Sequence, residues 1–495
     1  MSNKPHPHGH TGGQGVGLSP PSAHDLSRRQ CLGWGGALGA GLLGLPLASS
    51  LWPRPAGAAG DDYKALVCLS LNGGNDGLNM LPPRDAGRHA LYQTVRGALA
   101  LPRSSLQPLD ADHGLHPAMA ALAGVWADGA LAPVFNVGPL AAPLSKAQYR
   151  AAVAGDGKVP DSLFSHPDQQ RQWDSAATRS AERSGWGGRA ATAMAGGAPP
   201  IAIGGNAQFV LSDQSAAWVL PGPGADFGVL GLHGADPATQ ARGAALQALL
   251  RDSQTSPLAE AYARAAREAM VLESRLATLV SAPPDPAFDT SGIAQAFAAQ
   301  IGQAGFVDSL AGQLCQVARL VHGRATVGSS RQIFHVQLNG FDHHAMQVGD
   351  SALLGVHAAL LQTLAQAMAS FWQALQAIGM ADRVTLFTQS DFGRTFAPND
   401  SRGTDHGWGN HQLVMGGAVL GGRCHGRYPT LALGGPDDVA VETWERQGRW
   451  IPSASVDQYA ATLLRWWGLG EAGLDTVLPQ LRHFGSERTL GFMRG

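Results

Sequence analysis

Four strand-length runs constrain the fold of this chain more than any other feature. They are Ala65–Leu71, Ala132–Val137, Arg331–Leu338 and Arg383–Thr388. The first is apolar almost throughout, as expected of a strand buried on both faces. Helical patterns lie between them. In His357–Ile378 the residues Leu361, Leu364, Met368, Phe371, Leu375 and Ile378 recur at i, i+3, i+4, i+7 spacing, which makes one apolar stripe. Leu258–Val280 and Ile293–Val321 are long, Ala-rich and helical in pattern, and Pro117–Trp126 reads as a short helix. Ser455 and Gln458 form a capping box that opens a helix over Val456–Trp467, with Gly468 as its stop. Strand and helix in alternation predict an α/β fold, a mainly parallel sheet with helices on both faces. Gln412–Met415 adds a short strand. Pro200–Gly204 and Gln208–Leu211 read as short strands of a subsidiary region over about 190–325.

The loops after these strands carry the chemistry. Gly340-Phe341-Asp342-His343-His344 follows one run and Ser390-Asp391-Phe392-Gly393-Arg394-Thr395 the next. Gly403-Thr404-Asp405-His406-Gly407-Trp408-Gly409-Asn410-His411 comes soon after, and Asp76 lies past the first run. Open α/β sheets bind ligands outside the carboxyl ends of their strands. Asp and His gathered there suit a divalent metal. Imidazoles fit Zn, Mn or Fe, and a carboxylate-dominated set also accepts Mg or Ca. Each residue has a plainer reading. Asp391 can cap a helix or pair with Arg394, and His406 can organise a turn. Ser165-His166-Pro167-Asp168 offers a serine at a helix start, a nucleophile or an N-cap.

Composition excludes several classes. The chain has 495 residues, 15% of them charged, a net charge of −2 and no basic block, so nucleic-acid binding has no electrostatic support. No Gly-x-Ser-x-Gly elbow and no Gly-x-x-x-x-Gly-Lys loop occurs. Residues 1–26 are rich in His, Gly, Pro and Ser. Ser27-Arg28-Arg29 then precedes an apolar stretch over 33–50, and Ala56-Gly57-Ala58 fits a cleavage site. This predicts a signal peptide over 1–58 and one exported domain over 59–495, periplasmic or extracellular, without a stable membrane span. The paired arginines are similar to a twin-arginine signal, which makes that export machinery the expected partner.

Further residues extend a resemblance along most of the chain. They are Gly73-Gly74-Asn75-Asp76-Gly77, Gly114-Leu115-His116-Pro117, Ser165-His166 with Gln170 and Trp173, Gly185-Trp186, Gly340-Phe341-Asp342 with His344 and Gln347, Ser390–Thr395 and Thr404–Gly407. In this order they resemble a bacterial exported family catalogued as a domain of unknown function, number fifteen-oh-one. That family looks like a divergent branch of the alkaline phosphatase and sulfatase superfamily. The resemblance implies an alkaline phosphatase/sulfatase-like core and one or two divalent metals acting on small phosphate or sulfate esters. It implies Asp76, Asp342, His344, Asp391 and His406 or His411 as metal ligands, and Ser165 as nucleophile. Arg394 is expected to stabilise developing negative charge. One departure stands out: the superfamily usually has Asp-His where this chain has Asp391-Phe392. It makes a non-catalytic binding or assembly protein the alternative to a hydrolase.

Overall fold

The apolar runs do form a sheet. The computed structural model describes residues 62–494 except 154–158, 180–181, 195–196, 215, 230–231, 233–235, 252–255 and 441. The expected export signal lies outside the described residues.

Nine strands share the main sheet among the described residues. In chain order these are β1 (Lys64–Asn72), β2 (Leu131–Gly138), β3 (Ile201–Ile203), β4 (Trp218–Leu220), β5 (Arg331–Asn339), β6 (Val384–Ser390), β7 (Asn410–Met415), β8 (His425–Gly426) and β9 (Ala454–Ser455). Their order is β8-β2-β7-β6-β1-β5-β3-β4, with β9 also paired to β2. Only the pairs that β7 makes, with β2 and β6, are antiparallel. β1, the centre, runs parallel to β5 and β6 along nearly its whole length.

Alternation along β1 divides the core in two. Ala65, Val67, Leu69 and Leu71 face one layer with α4 (Leu310–His322) and α5 (Val356–Ala377). Leu66 and Cys68 face the other, with Trp173 of α1 (His166–Ser175), α2 (Trp186–Ala193) and α6 (Val456–Trp467). α3 (Pro257–Ser281) reaches the first layer through Leu276 and Val280. Ser455 accepts from the Gln458 amide and Gln458 returns the bond, so the capping box forms as expected.

Two expectations are corrected. Gln208–Val210 is a 3-10 turn, and the neighbouring strand is β4. Ile293–Val321 is not one helix. It breaks into Ile293–Ala296, a turn at Phe306–Asp308 and α4, and between the first helix and the turn Gly302 and Gly305 adopt positive φ, which an α-helix does not carry. Among the described residues no helix is long and apolar enough to cross a membrane.

Candidate metal centre

The parallel core strands end together, so the loops past β1, β5 and β6 meet at one edge. Glycine makes the crowding possible. Gly73 sits at φ +110°, and a Cβ there would lie 2.5 Å from the Asp342 amide nitrogen. At Gly403 a Cβ would come within 2.3 Å of the His344 carbonyl carbon. The three loops are therefore in backbone contact before any side chain acts.

Arg394 knits them further. It is 3% exposed. Its guanidinium donates to the carbonyls of Gly74 (2.8 Å) and Thr404 (3.0 Å), to that of Gly73, and to Asp342 Oδ1 (2.5 Å). Burial pushes the Asp342 carboxyl up, but the Arg394 hydrogen bond and charge outweigh it and hold the group below the usual carboxylate range.

Three imidazoles surround that carboxylate. From Asp342 Oδ1 the Nε2 atoms of His344, His166 and His406 lie at 3.1, 3.4 and 3.8 Å. His344 Nε2 and His406 Nε2 are 2.8 Å apart. One ligand atom from each of the four residues falls within 4.8 Å of all the others. The other ring nitrogens favour one tautomer. His166 Nδ1 donates to Asp391 Oδ2 at 2.7 Å, His344 Nδ1 to Asp405 Oδ1 at 3.1 Å, and His406 Nδ1 to the Phe164 carbonyl at 2.6 Å. A carbonyl and a carboxylate accept, so these contacts favour the proton on Nδ1 of each neutral ring. Three Nε2 lone pairs then point into one space. Lone pairs repel, and His166 Nε2 is buried with no hydrogen-bond partner. A cation fits this set.

The surroundings tune the rings differently. The hydrogen bond that His166 donates to Asp391 raises the His166 pKa, ahead of the opposing effect of burial. Burial lowers that of His406. The ring of Phe392, fully buried, lies 4.6 Å from both the His166 and His406 rings. The position without an imidazole is thus a packing wedge between two of the three histidines.

The structure brings together Asp342, His344 and His406 and adds His166, which the sequence reading passed over in favour of its neighbour. Asp391 stands behind His166, its carboxylate taken by that ring, by Gln170 Nε2 (3.0 Å) and by the Gly73 amide (3.2 Å). Asp76 is elsewhere. It caps the short helix Gly77–Met80 and pairs with Arg96 at 2.5 and 2.9 Å, both side chains buried. Burial raises its pKa, but Arg96 and the other partners more than reverse this. His411 lies in β7, 2% exposed, with its ring against Phe135 and Tyr428. Ser165 precedes α1, but its hydroxyl donates to Asp168 Oδ2 at 2.6 Å and makes no backbone cap. Of the residues missed, His166 carried a signal: a histidine just inside a helix start, beside a serine and a proline. Asp405 was visible in its cluster but not as a support for His344.

A second grouping, Asp110, His113 and Cys424, also falls within 4.8 Å. His113 Nδ1 is hydrogen-bonded to Asp110 at 3.1 Å, and Arg88 stands 3.5 Å from Nε2. That guanidinium disfavours a cation.

The sequence belongs to the family described as protein of unknown function (DUF1501), whose model matches residues 63–442. No curated protein matches the chain.

Proposed function

We propose that the chain is an exported hydrolase of phosphate or sulfate esters that uses one divalent metal held by His166, His344, His406 and Asp342. The observation that carries this reading is the convergence of three Nε2 lone pairs, each fixed by an Nδ1 hydrogen bond, beside one carboxylate. Metal-binding histidines are ordinarily held in this way. A set rich in imidazole favours Zn or Mn over Mg or Ca, which seek oxygen. A divalent ion here would polarise an ester oxygen and lower the pKa of a water at neutral pH.

The chain's own residues do the rest. Asp391, Asp405 and the Phe164 carbonyl hold the imidazole protons away from the site. Arg394 fixes the Asp342 carboxylate and the three loops. Phe392 packs its buried ring against His166 and His406 on the inner side of the cluster. Asp342 and His344 are about half exposed, which leaves a side open to a small ester. The strand-end position of the cluster in a mostly parallel sheet supports descent from the alkaline phosphatase and sulfatase superfamily, and the twin arginines of the leader support export.

The test is metal content by mass spectrometry, followed by turnover of aryl phosphate, phosphodiester and aryl sulfate. One zinc or manganese per chain, lost in His344→Ala together with turnover, is expected. Protein that takes up no metal, or a His344→Ala variant as active as the parent, would sink the reading. A non-catalytic binding or assembly protein is the second reading. It is favoured by the commitment of Arg394 and Ser165 to internal hydrogen bonds. One bound metal with no turnover of any of the three ester classes would select it.

A further inference from the structure

On the other flank of α1 the sheet carries a polar surface that the metal cluster does not use. Ser70 of β1 stands level with Gln337 of β5 on one side and Gln389 of β6 on the other. His335 lies two residues before Gln337. These four side chains share one face of three adjacent central strands. Nearer the amino ends the same face is apolar, with Leu66, Cys68, Ile333 and Phe387 in the core. Toward the carboxyl ends it turns polar beneath α1. The result is a cleft of about 440 Å³, lined also by Asn206, Ala207 and Gln208. That size suits a small molecule.

The hydrogen bonds inside the cleft leave a specific pair of atoms over. Gln389 Nε2 donates to Asp174 Oδ1 at 2.6 Å and to Ser70 Oγ at 3.1 Å. The Ser70 hydroxyl then donates onward to His335 Nε2 at 2.9 Å. Burial holds that imidazole neutral, its pKa down at about 4, so its one proton sits on Nδ1. His335 Nδ1 and Gln389 Oε1 are both buried and both without a partner. The residues are 1% and 4% exposed. One atom is a donor and the other an acceptor. Buried polar atoms left unpaired are costly and rare, and a hydroxyl group can satisfy both kinds.

Charge narrows the class. Arg171 at the rim pairs with Asp168, and the Asp391 carboxylate is taken by His166, Gln170 and Gly73. Burial pushes the Asp174 carboxyl up to about 7, and Gln389 donates to it. Among the described residues, no unpaired cation lines the cleft to hold a phosphate or a carboxylate. Side-chain amides, a hydroxyl and an imidazole place donors and acceptors next to one another, which matches a ring of hydroxyls.

We propose that this cleft binds a neutral polyhydroxylated ring, a pyranose or a cyclitol, with the lining side chains of His335 and Gln389 turning Nδ1 and Oε1 toward its hydroxyls. The site is independent of the metal, although the two adjoin: Gln170 lines the cleft and donates to the Asp391 oxygen that holds His166. A ring bound here lies one residue layer from the metal cluster.

Saturation-transfer NMR and calorimetry on the full chain test it, with glucose, galactose, N-acetylglucosamine and myo-inositol as probes and inorganic phosphate as the charged control. At least one ring should bind saturably, with equal affinity in parent protein, in EDTA-treated protein and in His344→Ala. Gln389→Leu and Asn206→Trp should each weaken binding roughly tenfold or more. Asn206 is an exposed lining residue, so its replacement blocks the cleft without touching the core. The proposal is overturned if no ring binds, if Asn206→Trp binds as tightly as the parent, or if phosphate displaces the ring. Loss of ring binding on EDTA treatment would also overturn it, by moving the ligand to the metal.

Discussion

Asp76 and Asp342 stand past neighbouring strands, β1 and β5, at the same edge of the sheet, and their surroundings are opposite. Asp76 is 2% exposed and meets protons: two from the Arg96 guanidinium and one from Gln347 Nε2 at 2.6 Å. The nearby imidazole of His357 spends its Nε2 on Asn75 Oδ1 at 3.0 Å. Every charge there is answered inside the protein. Asp342 is half exposed and, beside the one proton it takes from Arg394, meets lone pairs from three imidazoles whose protons are held elsewhere. A carboxylate at a strand end therefore does not define a site. What decides is whether its neighbours present protons or lone pairs.

The sharpest way to break this contrast is to remove each carboxylate. Asp76→Ala leaves Arg96 buried and uncompensated, which should cost about 3–5 kcal/mol. Asp342→Ala should cost only about 1 kcal/mol, because Arg394 keeps its carbonyl acceptors. Urea midpoints of the metal-free variants measure both. Equal losses would mean that the two aspartates do the same structural job.

Metal affinity should follow the opposite order. His344→Ala removes a ligand outright. Asp405→Asn weakens the group that orients His344, with an expected loss of about 10–100-fold in zinc affinity. Any His357 variant that folds should leave zinc affinity unchanged. Competition against a chromogenic chelator gives all three values. A loss in the His357 variant would erase the distinction between scaffold and site.

Protons sharpen it further. The raised pKa of His166 means that zinc competes with a proton there, so affinity should fall as pH drops through a point above 6.5. Asp391→Asn should move that fall to lower pH. The scaffold imidazoles behave otherwise. Burial holds His357 and His411 down to about 3 and His116 and His335 to about 4. Their folded pKa values lie below the unfolded one, so the unfolded chain gains protons first and stability is lost as pH falls below about 6.5. Asp174 and Asp457, raised to about 7 and about 8, act the other way: the fold keeps their protons, and their contribution is lost as pH rises toward those values. Four groups oppose two. Metal-free protein should therefore melt at a lower temperature at pH 5 than at pH 7, and a higher melting point at pH 5 would contradict it.

The difference between the regions also explains what the sequence could reveal. The strands were legible because burial on both faces demands apolar runs, and Ala65–Leu71 is such a run. The pairing of Asp342 with His344, and the arrival of His406 from the next loop, followed from loops meeting at one sheet edge. The seclusion of Asp76 was not legible. Its partner Arg96 looks like any arginine in a surface helix, and only packing shows it to be fully buried. His166 was hidden for a related reason: helix α1 crosses to the cluster from a distant part of the chain, and no local spacing records that. Nor does spacing say which nitrogen of a ring a neighbour will claim, and that detail separates Asp391, a support, from Asp342.

The smallest expected effect concerns Ser165, which stands one residue from a proposed ligand and yet on the scaffold side of the contrast. Its hydroxyl donates to Asp168 Oδ2, and Asp168 in turn pairs with Arg171 at 3.3 Å, so the three brace the first turn of α1 and hence the backbone of His166. A nucleophile needs its oxygen free at the reacting atom, and this one is turned along the helix. Ser165→Ala should lower stability by about 0.5–1 kcal/mol, as the loss of one partly buried hydrogen bond does. Turnover of an aryl phosphate should change by less than about twofold in k, equivalent to less than about 0.5 kcal/mol. If turnover instead collapses while zinc content stays at one per chain, Ser165 belongs to the reacting groups, and the boundary between brace and site runs on the other side of it.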